Sequence, residues 1–226
     1  MRGSHSLRCG AGRADITPPL GTILYGYAPG RPAESVGDPL TLTAVKLTSD
    51  EDSALLITCS VASLNAELCS RMRREAGEAA GVPACNVTIN TTHTHSAPNC
   101  SIASGWGEVD TGYIESILMP GCLKAAREAA ETLRPALFGI GETDSDVGIN
   151  RRELRENGKI ALGQNPWGPR DPKMTVLSFK DLDGKIIASL VHYGCHGTAS
   201  GCNPEITRDW PGVMTDMLEA ETGGIS

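Results

Sequence analysis

The run Thr91-Thr92-His93-Thr94-His95-Ser96-Ala97-Pro98 sets two of the chain's five histidines one residue apart, among hydroxyl side chains. In an extended segment residues i and i+2 point to the same side, so both imidazoles would face one spot. Imidazole is the commonest metal ligand, and a catalytic zinc keeps three protein ligands and one open position. A core strand would not be so rich in Thr and Ser, so a polar site with metal or catalytic chemistry is the stronger reading. A second cluster is Val191-His192-Tyr193-Gly194-Cys195-His196-Gly197-Thr198. His192 ends an apolar strand and reads as a buried, hydrogen-bonded core histidine. His196 opens a Gly-rich loop, where histidines rarely serve packing, and reads as functional. Their i, i+4 spacing does not imply shared ligation, because the surroundings are not helical. His5 reads as a tail residue. Asp38, Glu205 and Asp209 are the carboxylates near these clusters. Arg151, in Ile149-Asn150-Arg151-Arg152, could clamp a carbonyl or carboxylate and stabilise developing negative charge, or be a plain surface arginine.

The elements that must position these residues follow from periodicity and turn chemistry. After a turn-rich opening (Thr17-Pro18-Pro19-Leu20-Gly21, then Gly and Pro through Pro39), Leu42 to Leu47 and Ala54 to Cys59 read as strands about an acidic turn. Leu64, Leu68, Met72 and Ala76 share one face of a helix, with Ser63 as N-cap and Gly81 as its stop. Asn86 to Asn90 reads as the next strand. Strand, helix and strand make a βαβ unit with parallel strands, and His93 and His95 follow the carboxyl end of the second, where sites of open α/β sheets collect. Further on, Tyr113 to Leu133 reads as a helix interrupted near Pro120-Gly121, and Ala136 to Ile140 as a strand. Arg152 to Trp167 reads as a hairpin or loop. Met174 to Phe179 and Ile186 to Val191 read as a hairpin across Asp181-Leu182-Asp183-Gly184. A last helix starts near Trp210-Pro211. The expected fold is α/β: a mixed sheet with flanking helices and active-site loops at strand carboxyl ends. One domain is expected over 1–226, with a disordered tail over about 1–9. The ending Gly223-Gly224-Ile225-Ser226 reads as a helix stop followed by the first step of a new strand, as in an incomplete domain.

Composition excludes some classes. Net charge is −7, pI is near 5.2, and 20 basic residues are scattered among 27 acidic ones, so there is no basic stripe for nucleic acid. Aromatic content of 4% also argues against base-stacking platforms. No run of about 18 apolar residues suggests a transmembrane helix, and the start has no signal-peptide core. The expectation as written is cytoplasmic, or secreted if the true start lies upstream. The eight cysteines form no C-x-x-C pair and read as reduced thiols in the core rather than a zinc-thiolate site.

Several segments, in order, resemble the neutral/alkaline non-lysosomal ceramidases. They are Gly10-Ala11-Gly12-Arg13-Ala14-Asp15-Ile16-Thr17-Pro18-Pro19, Val36-Gly37-Asp38-Pro39-Leu40, Thr92-His93-Thr94-His95-Ser96-Ala97-Pro98, Asn150-Arg151-Arg152, His196-Gly197-Thr198 and Arg208-Asp209-Trp210-Pro211-Gly212. The resemblance runs from about residue 10 to the end, as the N-terminal part of an amidase domain. It implies a zinc-dependent hydrolase that splits the amide of an N-acylsphingosine with metal-activated water. It implies His93 and His196 as zinc ligands. It implies His95 beside the metal, handling protons or the oxyanion, and Arg151 lining the same pocket. A Glu and a Tyr from the family's C-terminal half would complete the zinc set. The same resemblance implies a small-molecule or lipid amide as substrate and leaves room for peripheral membrane contact. Val61-Ala62 departs from it, since family members commonly carry Asp-Leu there.

Two other readings stand beside this one. A different H-x-H metal hydrolase, such as an amidohydrolase barrel, fits poorly with the hairpins and the turn-rich start. A non-catalytic remnant or binding module would keep the histidines without a complete site.

Overall fold

The computed structural model describes residues 7–102 and 106–226. A five-stranded mixed sheet lies at its centre. Strand β1 (Leu7–Asp15) runs antiparallel to β2 (Thr41–Ser49) on one side and to the short Arg134–Pro135 on the other. β2 continues through a hairpin into β3 (Asp52–Cys59), and β3 pairs in parallel with β4 (Val87–Thr91). Helix α1 (Ala66–Ala80) connects these last two, the expected βαβ unit. Its apolar positions Leu68, Met72, Ala76 and Ala80 are buried, as their spacing predicts. Its N-cap is Asn65, whose side chain accepts the Leu68 N–H at 2.8 Å, and not Ser63, which instead pairs with the Ser101 hydroxyl. Gly81 ends it at φ 65°, as expected of a left-handed C-cap.

The helix expected over Tyr113 to Leu133 is not interrupted at Pro120. A short turn, Thr111–Tyr113, leads through a π-helical turn, Ile114–Leu118, into α2 (Met119–Glu131). Proline brings no N–H to the ladder, and the Met119 N–H reaches back to the Ile114 carbonyl just before it. The wider turn falls just ahead of the proline, and the helix continues through it.

A second, three-stranded antiparallel sheet holds β9 (Ile186–Tyr193), β8 (Lys173–Lys180) and β5 (Leu137–Asp144), in that order. Between β5 and β8 stands a separate hairpin of β6 (Asn150–Leu154) and β7 (Ile160–Asn165). Helix α3 (Asp209–Thr222) closes the chain, and after it Ile225 makes one parallel bridge to Ala188 of β9. Two hydrogen bonds carry that bridge, Ser189 N–H to Ile225 O at 2.8 Å and Ile225 N–H to Ile187 O at 3.2 Å. No helix among the described residues is long and apolar enough to cross a membrane.

The layers are helices, first sheet, second sheet. Ala14, Leu42, Ala44, Leu55, Ile57 and Cys59 face the helices and pack with Leu68, Met72, Leu118, Cys122 and Ala125. The opposite face supplies Cys9, Ala11 and Val45 to a smaller core with Phe179, Ile187 and Ala188. β1 is therefore buried on both faces. It went unexpected because LRCGAGRAD lacks β-branched residues, and the tail expected over about 1–9 gives way to strand at Leu7. His5 and the rest of that tail lie outside the described residues. Two open sheets, mostly antiparallel, exclude the eight-stranded parallel barrel of an amidohydrolase.

Candidate metal centre

Two chain segments, about a hundred residues apart in sequence, meet where the two sheets' strands end. The first leaves β4. Thr92 N–H bonds the Cys59 carbonyl at 3.0 Å and His93 N–H bonds the Val61 carbonyl at 3.1 Å, which holds the segment beside the end of β3. His93 then turns with φ 62°, a left-handed conformation uncommon for a residue with a Cβ. The extended geometry expected for His93 to His95 is thus replaced by a turn, yet the two rings still converge, with centroids 5.0 Å apart. The second segment leaves β9 and brings His196 to within 4.3 Å of the His93 ring and 4.9 Å of the His95 ring.

The three imidazoles offer one ring nitrogen each within 4.8 Å of one another. His95 Nε2 and His196 Nε2 lie 3.1 Å apart. Ligands on a tetrahedral zinc stand about 3.3 Å from one another, from Zn–N bonds near 2.0–2.1 Å, so small ring rotations would satisfy an ion. His93 Nδ1 lies 2.5 Å from the Ala62 carbonyl, which can only accept, so this nitrogen carries the proton and Nε2 keeps its lone pair. Burial lowers the pKa of His196 to about 4, reinforced by the neighbouring His93 and His95 and by the Arg151 charge, while Asp209 pulls the other way. Burial likewise lowers His95, with His93 and the cations Arg31 and Arg151 adding to it. Near neutral pH both rings are therefore uncharged, the form that binds a metal. The donor set fits zinc.

His95 is held by the turn-rich segment between β1 and β2. Its ring stands edge-on to Tyr27 at 5.1 Å, and Arg31, lying over the Tyr27 ring at 5.2 Å, donates to the His95 carbonyl at 2.6 Å. Gly26, at φ 114°, lies against the imidazole so closely that a Cβ would sit 2.3 Å from His95 Cγ. The only sequence signal for this support is Tyr25-Gly26-Tyr27 itself, aromatic and Gly-rich in a chain poor in aromatics. Arg151 is exposed on β6, at a shift of register between Asn150 and Arg152, and its charge reaches His95 and His196. Such irregularities re-aim a side chain. His192 is a correction: it is exposed and lines a cleft rather than filling the core. Asp38 and Asp209 lie in a polar cluster below His196, whereas Glu205 packs against Gly37.

A cleft of about 660 Å³ lies between the two sheets, with His93 and His196 among its lining residues. Thr41, Thr43 and Thr58 line it from the first sheet, with Val45 and Leu56 further along. Leu177, Leu190, Val191 and Met214 line the opposite side. All eight cysteines are free thiols, with Cys9, Cys59, Cys100 and Cys122 buried.

No family model and no curated protein sequence matches the chain. Solved structures do match. Neutral ceramidase from Pseudomonas aeruginosa superposes with a TM-score of 0.77 at 17% identity, over 98% of this chain and 38% of that one. A ceramidase complexed with C2 superposes with a TM-score of 0.73 at 20% identity, over 98% of this chain and 37% of that one. The chain spans less than two fifths of the length of the solved structures it matches. The resemblance seen in the sequence therefore holds at the level of fold: this chain is folded as part of a neutral ceramidase is.

Proposed function

We propose that this chain is the histidine-bearing portion of a zinc-dependent amide hydrolase of ceramidase type, with residues 1–226 belonging to one amidase domain. The observation that carries the reading is the meeting of His93, His95 and His196 within a ceramidase-like fold. In it His93 and His196 hold the zinc, and the Ala62 carbonyl fixes which nitrogen of His93 faces the ion. Zinc, when bound, brings the pKa of a coordinated water to about 7 and polarises a carbonyl. His95 stands beside the ligands, uncharged, and can accept a proton or donate one to a leaving amine. Arg151, at the margin of the site, stabilises negative charge on the attacked carbonyl oxygen. The cleft supports a lipid amide as substrate, because a hydroxyl-rich end near the histidines grades into Val45, Leu56, Leu177 and Leu190. A polar amide at the histidines with an acyl chain along the apolar walls matches that gradient.

The test is zinc stoichiometry and affinity on the purified chain, with His93→Ala and His196→Ala alongside, followed by fatty-acid release from a short-chain N-acylsphingosine. One zinc per wild-type chain, lost in both variants, is the expected result. A wild type that holds no zinc overturns the reading. One that holds zinc but releases no fatty acid leaves a metal-binding module in place of a hydrolase.

A further inference from the structure

Asp209 is almost fully buried, at 4% exposure, and takes φ 61° at the first position of α3. Its carboxylate accepts three backbone N–H groups: Ala199 at 2.8 Å, Ser200 at 2.8 Å and Trp210 at 2.7 Å. Two of these belong to the loop that begins at His196. Among the described residues no salt bridge involves Asp209, since its neighbour Arg208 is committed to Asp38 and Asp216, each at 2.7 Å. Burying a carboxylate is costly unless hydrogen bonds replace its water, and a left-handed φ at a residue with a Cβ is strained in addition. Helix capping alone would need neither the burial nor a grip on the 196–200 loop.

The neighbours of Asp209 lead to the same place. The Trp210 indole N–H donates to the His196 carbonyl at 3.0 Å. The Asp209 N–H donates to Thr207 Oγ1 at 2.9 Å, and that hydroxyl donates in turn to Asp38. The Thr207 carbonyl accepts the Thr94 hydroxyl at 2.7 Å, and Thr94 is fully buried between His93 and His95. One hub thus grips both histidine-bearing segments. We infer that Asp209 is a positioning residue, whose buried carboxylate fixes the 196–200 loop so that the His196 imidazole meets those of His93 and His95. The inference rests on the zinc reading of the trio.

The test uses cobalt(II) alone, titrated into the purified 226-residue chain and read by its visible absorption, with affinity set by chelator competition. Asp209→Asn keeps the shape but turns one acceptor into an N–H that meets a backbone N–H. It should bind cobalt about 10-fold more weakly, with a changed spectrum, because residues that orient ligands carry effects of that order. Glu219→Gln breaks the ion pair with Arg13 at the far end of the same helix. It should lower the melting temperature and leave cobalt affinity and spectrum unchanged, which separates positioning from bulk stability. Trp210→Phe, which removes the indole N–H bonded to the His196 carbonyl while keeping a smaller aromatic ring, takes the place of Asp209→Asn if that variant does not fold. Wild-type affinity and spectrum in the folded variant overturn the inference alone. No cobalt bound by wild type overturns the zinc reading and this inference with it.

Discussion

Gly26 shows how much the site depends on a residue with no chemistry of its own. Its φ of 114° is one that side-chain-bearing residues rarely adopt, and its missing Cβ is what lets the His95 ring lie against the backbone. Gly26→Ala should cost about 1–3 kcal/mol from backbone strain alone. It should also turn His95 away from His196, breaking the 3.1 Å approach of their Nε2 atoms. Thermal unfolding reads the first effect and fatty-acid release from a short-chain N-acylsphingosine the second; a variant that melts early yet hydrolyses as wild type does would show that the placement of His95 beside the ligands is not used. The histidines themselves were legible in the sequence, because H-x-H among hydroxyls and a histidine before glycine are local patterns. The route to their convergence was not legible, since a turn at His93 and not an extended strand brings them together. Tyr27 and Arg31 act on His95 from far away in sequence, and no local pattern records such contacts.

At the scale of elements, the hairpins and the βαβ unit were legible because their turns and periodicities are local and strong. β1 was not, and its glycines explain both the failure and its importance. A Cβ on Gly10 would lie 2.1 Å from the Ala129 carbonyl oxygen, and one on Gly12 would lie 2.4 Å from that of Ala125. Small residues here let α2 lie directly on the strand, so a sequence poor in strand formers becomes the most enclosed strand of the sheet. Gly10→Ala has no flexible side chain to displace, only helix backbone. It should cost at least about 1–3 kcal/mol, the range for overpacked cores. For a chain of this size that is a fall in melting temperature of several degrees, at about 2–4 °C per kcal/mol. An unchanged melting temperature would mean that α2 can shift away from β1 at no cost, and that the close contact is incidental.

At the scale of the molecule, β5 is an outer strand of the second sheet. Leu137, Phe138 and Ile140 on edge strand β5 are 53–63% exposed. An apolar edge strand pairs readily with another copy. Ile140→Lys should shift the chain towards monomer at tens of micromolar, measured by light scattering on a sizing column; unchanged mass would place the contact elsewhere or show that there is none. The two cores raise a different question, whether the sheets open together. β1 and β2 each send side chains into both, Cys9, Ala11 and Val45 on one face and Ala14, Leu42 and Ala44 on the other. Neither core can be dismantled without disturbing the strands that wall the other, so one cooperative transition is expected. The cysteines report on it directly. Cys85 and Cys202 are exposed and should alkylate in the native state. Burial encloses Cys9 and Cys122 and raises each thiol to about 12, so neither presents thiolate until its core opens. Pulsed alkylation across a urea series, read by mass spectrometry, should find Cys9 and Cys122 reacting at the same midpoint. Labelling of Cys9 at lower urea would show the second sheet peeling away first. His196, carried at the end of β9, would then leave His93 before the helices melt, and metal binding would be lost ahead of the global transition.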